Sequence, residues 1–111
     1  MQAEIISIGT ELLLGEIVDT NSAWIAQRLT TIGLNLYHVA TVGDNLQRIT
    51  GIMRAALERS DVVITTGGLG PTVDDMTREA VAAATDRELV MDEELWQEIV
   101  RYFASRRFTM T

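Results

Sequence analysis

Three short apolar runs alternate with amphipathic segments along the chain. The runs at residues 3–9, 34–42 and 61–66 are nearly continuous in apolar and β-branched side chains, which is typical of strands buried on both faces. Apolar residues at three- and four-residue intervals predict helices at Asn21–Leu29, after Asp44 or Asn45, from about Asp75 to Ala84, and from Asp92 to Arg106. This alternation predicts an α/β fold with a mostly parallel sheet covered on both sides.

The same pattern assigns several individual positions. Thr20 or Asn21 is predicted to cap the first of these helices. His38, in the middle of the second strand, is interpreted as a packed core or edge residue rather than a catalyst. Trp24 and Trp96 lie on predicted apolar helix faces and are expected in the core.

The length of 111 residues fits a single small domain spanning residues 1–111. Three strands are few for a self-sufficient α/β sheet, since sheets average about 5–6 strands. We therefore expect an incomplete domain, truncated at its C-terminal side.

Composition excludes several classes of function. All nine basic residues are arginines, so neither a Walker-type phosphate loop nor Schiff-base chemistry has the lysine it needs. There is no cysteine for disulfides, thiolate catalysis or cysteine–zinc sites. The net charge of −7 and the lack of a basic stretch argue against a nucleic-acid partner. Without a long apolar run or a basic N-terminus, we expect no membrane association and a cytoplasmic location.

A glycine-rich turn follows the third strand and predicts a phosphate-binding site. Its glycines permit backbone conformations that approach an anion closely, and the next helix adds free N–H groups at its N-terminus. The candidate phosphate-binding residues of this turn are Gly67, Gly68, Gly70, Pro71, Thr72 and Thr77. The plainer alternative is a tight turn in which Asp74 or Asp75 simply caps the helix.

Two adjacent aspartates favour a metal at this turn. One carboxylate is enough for a helix cap, and a phosphate facing both Asp74 and Asp75 without a lysine would be repelled. A divalent cation removes the conflict, because Mg²⁺ binds through one or two carboxylates together with substrate phosphates. The sequence therefore predicts a metal-assisted phosphate site.

The ends of the first two strands carry further polar residues. Glu11, Asp19 and Asn21 are candidate polar contacts after strand one, and Asp44 follows strand two. Because ligands bind beyond the carboxyl ends of parallel strands, these residues and the glycine turn are expected to line one cleft. As an alternative, the segment around Asp19 and the residue Asp44 are ordinary helix caps.

Three motifs carry a resemblance to a known family. Residues 9–21 (GTELLLGEIVDTN), 41–45 (TVGDN) and 67–77 (GGLGPTVDDMT) resemble, in order, the N-terminal domain of the competence/damage-inducible CinA proteins. That domain belongs to the wider molybdopterin-binding (MoaB/Mog, MoeA and gephyrin) fold. The resemblance covers the whole chain.

The resemblance implies a three-layer α/β/α sandwich and a metal-dependent ADP-ribose pyrophosphatase of pyridine nucleotide recycling. It matches the acidic positions of the fold to Asp44 and Asp75, which become the candidate catalytic residues. The candidate metal ligands are Asp44, Asp74 and Asp75, and the candidate substrate contacts after strand one are Gly9, Thr10, Glu11 and Asn21. The MoeA-like branch has Gly-Asp-Glu where this chain has Gly-Thr-Glu, which weakens any transfer of molybdenum-insertion chemistry.

The leading hypothesis is therefore hydrolysis of a nucleotide-sugar diphosphate such as ADP-ribose. The expected cofactor is a divalent ion, Mg²⁺, Mn²⁺ or Co²⁺, with a monovalent cation as an additional candidate. The alternatives are a molybdopterin-binding module without hydrolase activity and a competence-associated interaction protein. The expected ligand is a small nucleotide or pterin phosphate, and a homo-oligomer is expected because relatives form dimers or trimers. A nicotinamide-mononucleotide deamidase domain, frequent in full-length relatives, is not expected in these residues.

Overall fold

The computed structural model describes residues 1–70, 72 and 75–105. Predictions that concern Pro71, Asp74 and the end of the last helix at Arg106 lie outside these residues. The elements are β1 (Gln2–Ile8), α1 (Thr10–Leu13), α2 (Thr20–Thr31), β2 (Asn35–Val42), α3 (Leu46–Arg59), β3 (Val62–Thr66), α4 (Thr77–Thr85) and α5 (Glu93–Ser105).

The three strands form a parallel sheet in the order β2-β1-β3, as the alternation of strands and helices predicts. Side chains of the central strand β1 point alternately to the two faces. Ala3 and Ile5 pack with Leu29 of α2 on one face. The opposite face holds the larger cluster of β1, β2, α3 and α4, formed by Ile6, Ile8, Val42, Ile49, Met53, Ala56 and Ala80. The predicted α/β/α layering is confirmed.

A β-bulge marks the outer strand β2. Ala3 pairs with Leu36 and Glu4 with His38, so Tyr37 is an extra residue on the β2 side. Bulges and polar side chains are common protections of sheet edges against unwanted pairing. His38 is exposed on this edge strand, so of its two predicted placements the edge is correct and the packed core is not.

Both tryptophans lie outside the core, and the prediction for them is wrong. Trp24 is 60% exposed and Trp96 is 40% exposed. On α2 the buried stripe runs through Ser22 and Leu29, and Trp24 is about 200° around the helix from Ser22. The Trp24 ring instead carries the Arg28 guanidinium 4.9 Å from its centroid. No described residue of α5 belongs to either core cluster.

The predicted cap of α3 is correct, whereas the starts of α2 and α4 differ from the predictions by one and two residues. α2 is capped by Asp19, whose carboxylate accepts a hydrogen bond from the backbone N–H of Ser22. Asn45 caps α3, and α4 begins at Thr77, two residues later than predicted. The short helix α1 was not predicted, because four residues are too few for a periodic pattern. Within the described residues, no helix is long and apolar enough to cross a membrane.

An ion pair between a buried carboxylate and a half-exposed arginine joins β1 to the end of α3, at the amino end of the sheet. Glu4 is 2% exposed, and Arg59 donates to its carboxylate from Nε at 3.0 Å and from Nη2 at 2.6 Å. Burial alone raises the pKa of Glu4, but the hydrogen bonds from Arg59 and Ser60 outweigh burial and hold the pKa below its ordinary value. The ionised carboxylate therefore stabilises the fold.

The Glu4→Gln variant tests this link. We expect its free energy of unfolding at pH 7 to fall by about 1.5–3 kcal/mol, the range for hydrogen bonds to a charged group. Since the pKa of Glu4 is lowered by folding, its contribution is complete above the unfolded value of about 4.3 and is lost as the pH falls through the folded value.

Urea denaturation at pH 7 and at successively lower pH measures the effect. The matched control is Glu58→Gln on the exposed surface of α3, which we expect to be close to neutral. A Glu4→Gln difference that stays constant into the acid range would show that the carboxylate charge is not what stabilises this corner.

Candidate functional site

The carboxyl ends of the three strands meet at one rim of the sheet. β1 ends at Ile8, β2 at Val42 and β3 at Thr66, and the loops that follow carry the predicted site residues. The backbone N–H of Gly9 donates to the carbonyl of Val42 at 2.9 Å, which holds the first two strand ends together. The glycine turn follows the strand on the other side of β1, and its Gly67 packs against the end of β1.

The glycines of the turn are required by close packing. Gly67 has φ 87°, and a Cβ there would lie 2.1 Å from the carbonyl oxygen of Ile8. Gly68 has φ 66°, and a Cβ there would lie 2.2 Å from Oγ1 of Thr77. At Gly70 a Cβ would meet the Asp75 carboxylate at 2.7 Å. The turn consequently presses against β1, α4 and one of the predicted catalytic carboxylates.

Thr77 shapes the turn from the start of α4. Its hydroxyl donates to the carbonyl of Gly67 at 2.7 Å and its backbone N–H donates to the carbonyl of Gly68 at 3.2 Å. The residue is only 2% exposed. The structure thus gives this hydroxyl a role inside the turn, and a direct contact with substrate stays a prediction.

Asp75 does not cap α4. Met76 occupies the N-cap position and makes no side-chain cap, whereas Asp75 Oδ2 accepts from the Thr72 N–H at 3.1 Å and from the Thr72 hydroxyl at 2.5 Å. The pKa of Asp75 is lowered, and the hydrogen bond from the Thr72 hydroxyl is the largest cause. Burial opposes this shift, whereas the backbone N–H groups of Thr72 and Gly70 and the charge of Arg78 lower the pKa further. Asp75 is ionised at neutral pH.

Asp44 is linked to the loop after β1. The hydroxyl of Thr10 donates to Asp44 Oδ2 at 3.0 Å, and the backbone N–H of Asp44 donates back to the Thr10 hydroxyl at 3.1 Å. The neighbouring Asn45 caps α3. The alternative that Asp44 is an ordinary helix cap is therefore not what the structure shows.

Glu11 and Asn21 occupy the outer part of the rim. The carboxylate of Glu11 folds back over Gly9, where an added Cβ would lie 2.6 Å from Oε1. Glu11 and Asn21 are both exposed, in the first turns of α1 and α2. Their contact with substrate stays a prediction.

A polar cluster lies beneath the loop after β1. Its carboxylate, Asp19, is the helix cap that the alternative interpretation predicted, but its serine partners were missed. The Asp19 carboxylate accepts from the Ser22 N–H at 3.0 Å, from the Ser22 hydroxyl at 2.7 Å and from the hydroxyl of Ser7. Burial raises the pKa of Asp19, but the bonds from Ser22 and Ser7 outweigh it and lower the pKa. An ionised carboxylate therefore occupies the N-terminus of α2. The available signal was Ser7 itself, a polar residue in an otherwise apolar strand.

The Asp19 cluster makes the N-terminus of α2 an unfavourable place for a phosphate. The positive end of α2 is already neutralised by Asp19, and that of α3 is capped by the side chain of Asn45. The N-cap of α4, next to the glycine turn, has no side-chain cap. An anionic ligand at this rim is therefore best accommodated by the turn and α4.

The residues predicted to hold a metal are only partly described. No group of three or more His, Cys, Asp or Glu side chains able to hold a metal occurs among the described residues, and Asp74 is not one of them. Asp44 and Asp75 lie in the loops after the two strands that flank β1. The metal site stays a prediction.

Comparison with known proteins agrees with this architecture. Residues 4–110 match the family described as "Probable molybdopterin binding domain". The chain belongs to that family.

Two relatives of known sequence are named as competence-damage inducible proteins. The one from Halothermothrix orenii is 56% identical over 111 residues, covering 100% of this chain and 27% of its own length. The one from Caldicellulosiruptor saccharolyticus is 51% identical over 110 residues, covering 99% and 27%. The chain thus spans about a quarter of the length of the curated relatives that it matches.

Two solved structures show the same fold. The CinA protein of unknown function from Thermoplasma acidophilum superposes with a TM-score of 0.87 at 40% identity, covering 93% of this chain and 61% of that one. The molybdopterin biosynthesis enzyme MoaB from Thermus thermophilus superposes with a TM-score of 0.70 at 27% identity, covering 79% and 57%. The resemblance drawn from the three motifs is confirmed.

Three glycine substitutions test how the turn is built. Gly67→Ala places a Cβ against a backbone oxygen at positive φ, so we expect a loss of clearly more than the ~1–2 kcal/mol that the left-handed conformation costs by itself. Gly15→Ala has φ 75° with open space, and we expect only that intrinsic cost. Gly51→Ala, inside α3 with open space, is expected to stabilise by about 0.5–1 kcal/mol.

Urea unfolding of the three variants separates backbone strain from steric overlap. The expected order of stability is Gly51→Ala, then Gly15→Ala, then Gly67→Ala. Equal losses for Gly67→Ala and Gly15→Ala would mean that contact between the turn and Ile8 is unimportant.

Proposed function

We propose that the protein hydrolyses a nucleotide-sugar diphosphate such as ADP-ribose with the help of a divalent metal ion. The observation that supports this proposal is the placement of two carboxylates. Asp44 and Asp75 follow the strands on either side of β1, at the rim that carries the glycine turn, and neither is the N-cap of the helix that follows it in the chain. Carboxylates beside a phosphate-binding turn fit metal-assisted cleavage better than simple anion binding.

The glycine turn and the start of α4 would receive the diphosphate. The backbone at Gly67 and Gly68 can approach an anion closely, and the N-terminus of α4 offers N–H groups without a competing side-chain cap. The adjacent Asp75 is ionised, which would repel the phosphate if nothing positive lay between them.

The carboxylates fit a divalent ion. The Oδ2 atom of Asp44 accepts a hydrogen bond from Thr10, and that of Asp75 accepts one from Thr72. Carboxylates that bind metals are usually oriented by such hydrogen bonds. An ion of the Mg²⁺, Mn²⁺ or Co²⁺ class would polarise a phosphoryl oxygen or activate water. In this proposal Glu11 and Asn21 contact the remainder of the substrate.

A second candidate is molybdopterin binding without hydrolysis. It is favoured by the description of the family and by the MoaB structure that shares the fold. In that case the rim would hold the phosphate of a pterin, and Asp44 and Asp75 would orient the ligand.

Turnover by the complete protein distinguishes the two candidates. We expect ADP-ribose to be split into AMP and ribose 5-phosphate only when a divalent metal is added. Asp75→Asn removes the charge next to the turn and is expected to reduce turnover by about 100-fold or more.

The control for that variant is Asp86→Asn at the far end of α4. Asp86 is exposed and left-handed with φ 54°, a conformation that asparagine also tolerates, so we expect its turnover to be unchanged. Wild-type turnover in Asp75→Asn would contradict the proposed role. Tight metal-independent pterin binding with no ADP-ribose cleavage would favour the second candidate.

A further inference from the structure

Arg78 lies between the glycine turn and an apolar depression beside α5. A depression of about 340 Å³ on the turn side is lined by Leu69, Thr77 and Arg78, among others. A second, of about 380 Å³, is lined by the charged residues Arg78 and Asp92 and by apolar residues that include Leu89 and Trp96. Both volumes fall within the range of about 300–1,000 Å³ for small-molecule sites, and both depressions share Arg78 and Leu89.

The charge of Arg78 reaches the candidate site. Arg78 follows Thr77, which shapes the glycine turn, and it lines both depressions. The residue is exposed, and its side chain donates no hydrogen bond to another described residue. A positive group therefore stands beside the turn of an acidic protein, ready to bind an anion.

The far depression is apolar and contains an aromatic ring. Trp96 is 40% exposed, and its neighbours Leu95, Ile99 and Met91 are 55%, 45% and 72% exposed. An indole face among aliphatic side chains suits a planar heterocycle, because bases stack on aromatic side chains without needing a specific hydrogen-bond pattern. The two depressions thus offer an anion-binding group and a base-binding surface side by side.

We propose that Arg78 binds a phosphate of the substrate and that the depression containing Trp96 binds the adjoining aromatic base of a nucleotide. This rests on the proposed function and extends it to the residues that would bind a phosphate and the base of the substrate. The guanidinium is planar and always charged, and its paired N–H groups match phosphate oxygens. Part of the substrate's charge is thereby neutralised by the chain itself, in addition to any metal.

The sequence alone did not indicate a binding role for Arg78. An arginine in the first turn of an amphipathic helix is ordinarily a solvated side chain, and the absence of lysine directed attention to a metal alone. Only the fold brings residue 78 next to Leu89 and Trp96 of the following segment.

Binding measured without metal tests the proposal separately from hydrolysis. The complete protein, kept in EDTA, is titrated calorimetrically with AMP, ribose 5-phosphate and inorganic phosphate. We expect Arg78→Gln to weaken binding of both AMP and ribose 5-phosphate about tenfold, because both lose a charge-assisted hydrogen bond. Trp96→Ala is expected to weaken AMP about tenfold and to leave ribose 5-phosphate unchanged.

The matched control is Arg101→Gln, which removes an exposed arginine from α5 and should leave all three affinities unchanged. Circular dichroism and melting temperature establish that each variant is folded. In a variant of the complete protein in which every tryptophan other than Trp96 is replaced by phenylalanine, AMP should change the fluorescence and ribose 5-phosphate should not.

Several results would overturn the proposal. Equal AMP affinity in wild type and Arg78→Gln would remove the role of Arg78. A Trp96 that acrylamide cannot quench in the ligand-free protein would show that other protein segments fill the depression. Metal-dependent ADP-ribose cleavage without any AMP binding in EDTA would refute this binding site but not the hydrolase function. AMP binding that depends on Arg78, without any cleavage, would support the binding site and refute the hydrolase function.

Discussion

The close approach of the glycine turn to the end of β1 is the constraint on which the site depends. The Cα of Gly67 lies so near the Ile8 carbonyl that a single added carbon would overlap it at 2.1 Å. This contact brings the chain leaving β3 against the end of the central strand, next to the loop after β1. The Thr77 hydroxyl then fixes the Gly67 carbonyl from the other side. Backbone geometry, rather than any charged pair, thus gathers the polar residues at one rim.

Hydrogen bonds from threonine and serine hydroxyls orient the carboxylates around that rim. Thr72 holds Asp75, Thr10 holds Asp44, and Ser7 with Ser22 holds Asp19. The pKa values of Asp19 and Asp75 are lowered as a result, so both stay ionised. Asp19 neutralises the start of α2, whereas the start of α4 remains available to an anion. The arrangement directs an anionic ligand towards the glycine turn, and Arg78 adds positive charge on the same side.

The sequence predicts the sheet well because its signals are local. Continuous apolar runs identified all three strands, and the glycine-rich motif located the rim. Contacts between residues far apart in the sequence could not be predicted from these local signals. The partnership of Ser7 with Asp19 and the burial of the Thr77 hydroxyl require the folded chain. The tryptophans were wrongly predicted to be in the core for a related reason. Helical periodicity shows that a side chain belongs to an apolar face, but it does not show what that face packs against in the folded chain. Trp24 lies on the outer side of α2 with Arg28.

The central claim is that Asp44 and Asp75 hold a divalent ion together with a phosphate-bearing ligand. The most direct measurement is electron paramagnetic resonance of Mn²⁺ titrated into the complete protein, with and without ADP-ribose. We expect the amount of bound Mn²⁺ to increase when ADP-ribose is present, and we expect this increase to disappear in an Asp44→Asn, Asp75→Asn double variant. Mn²⁺ binding that is unaffected by both the ligand and the double substitution would contradict it.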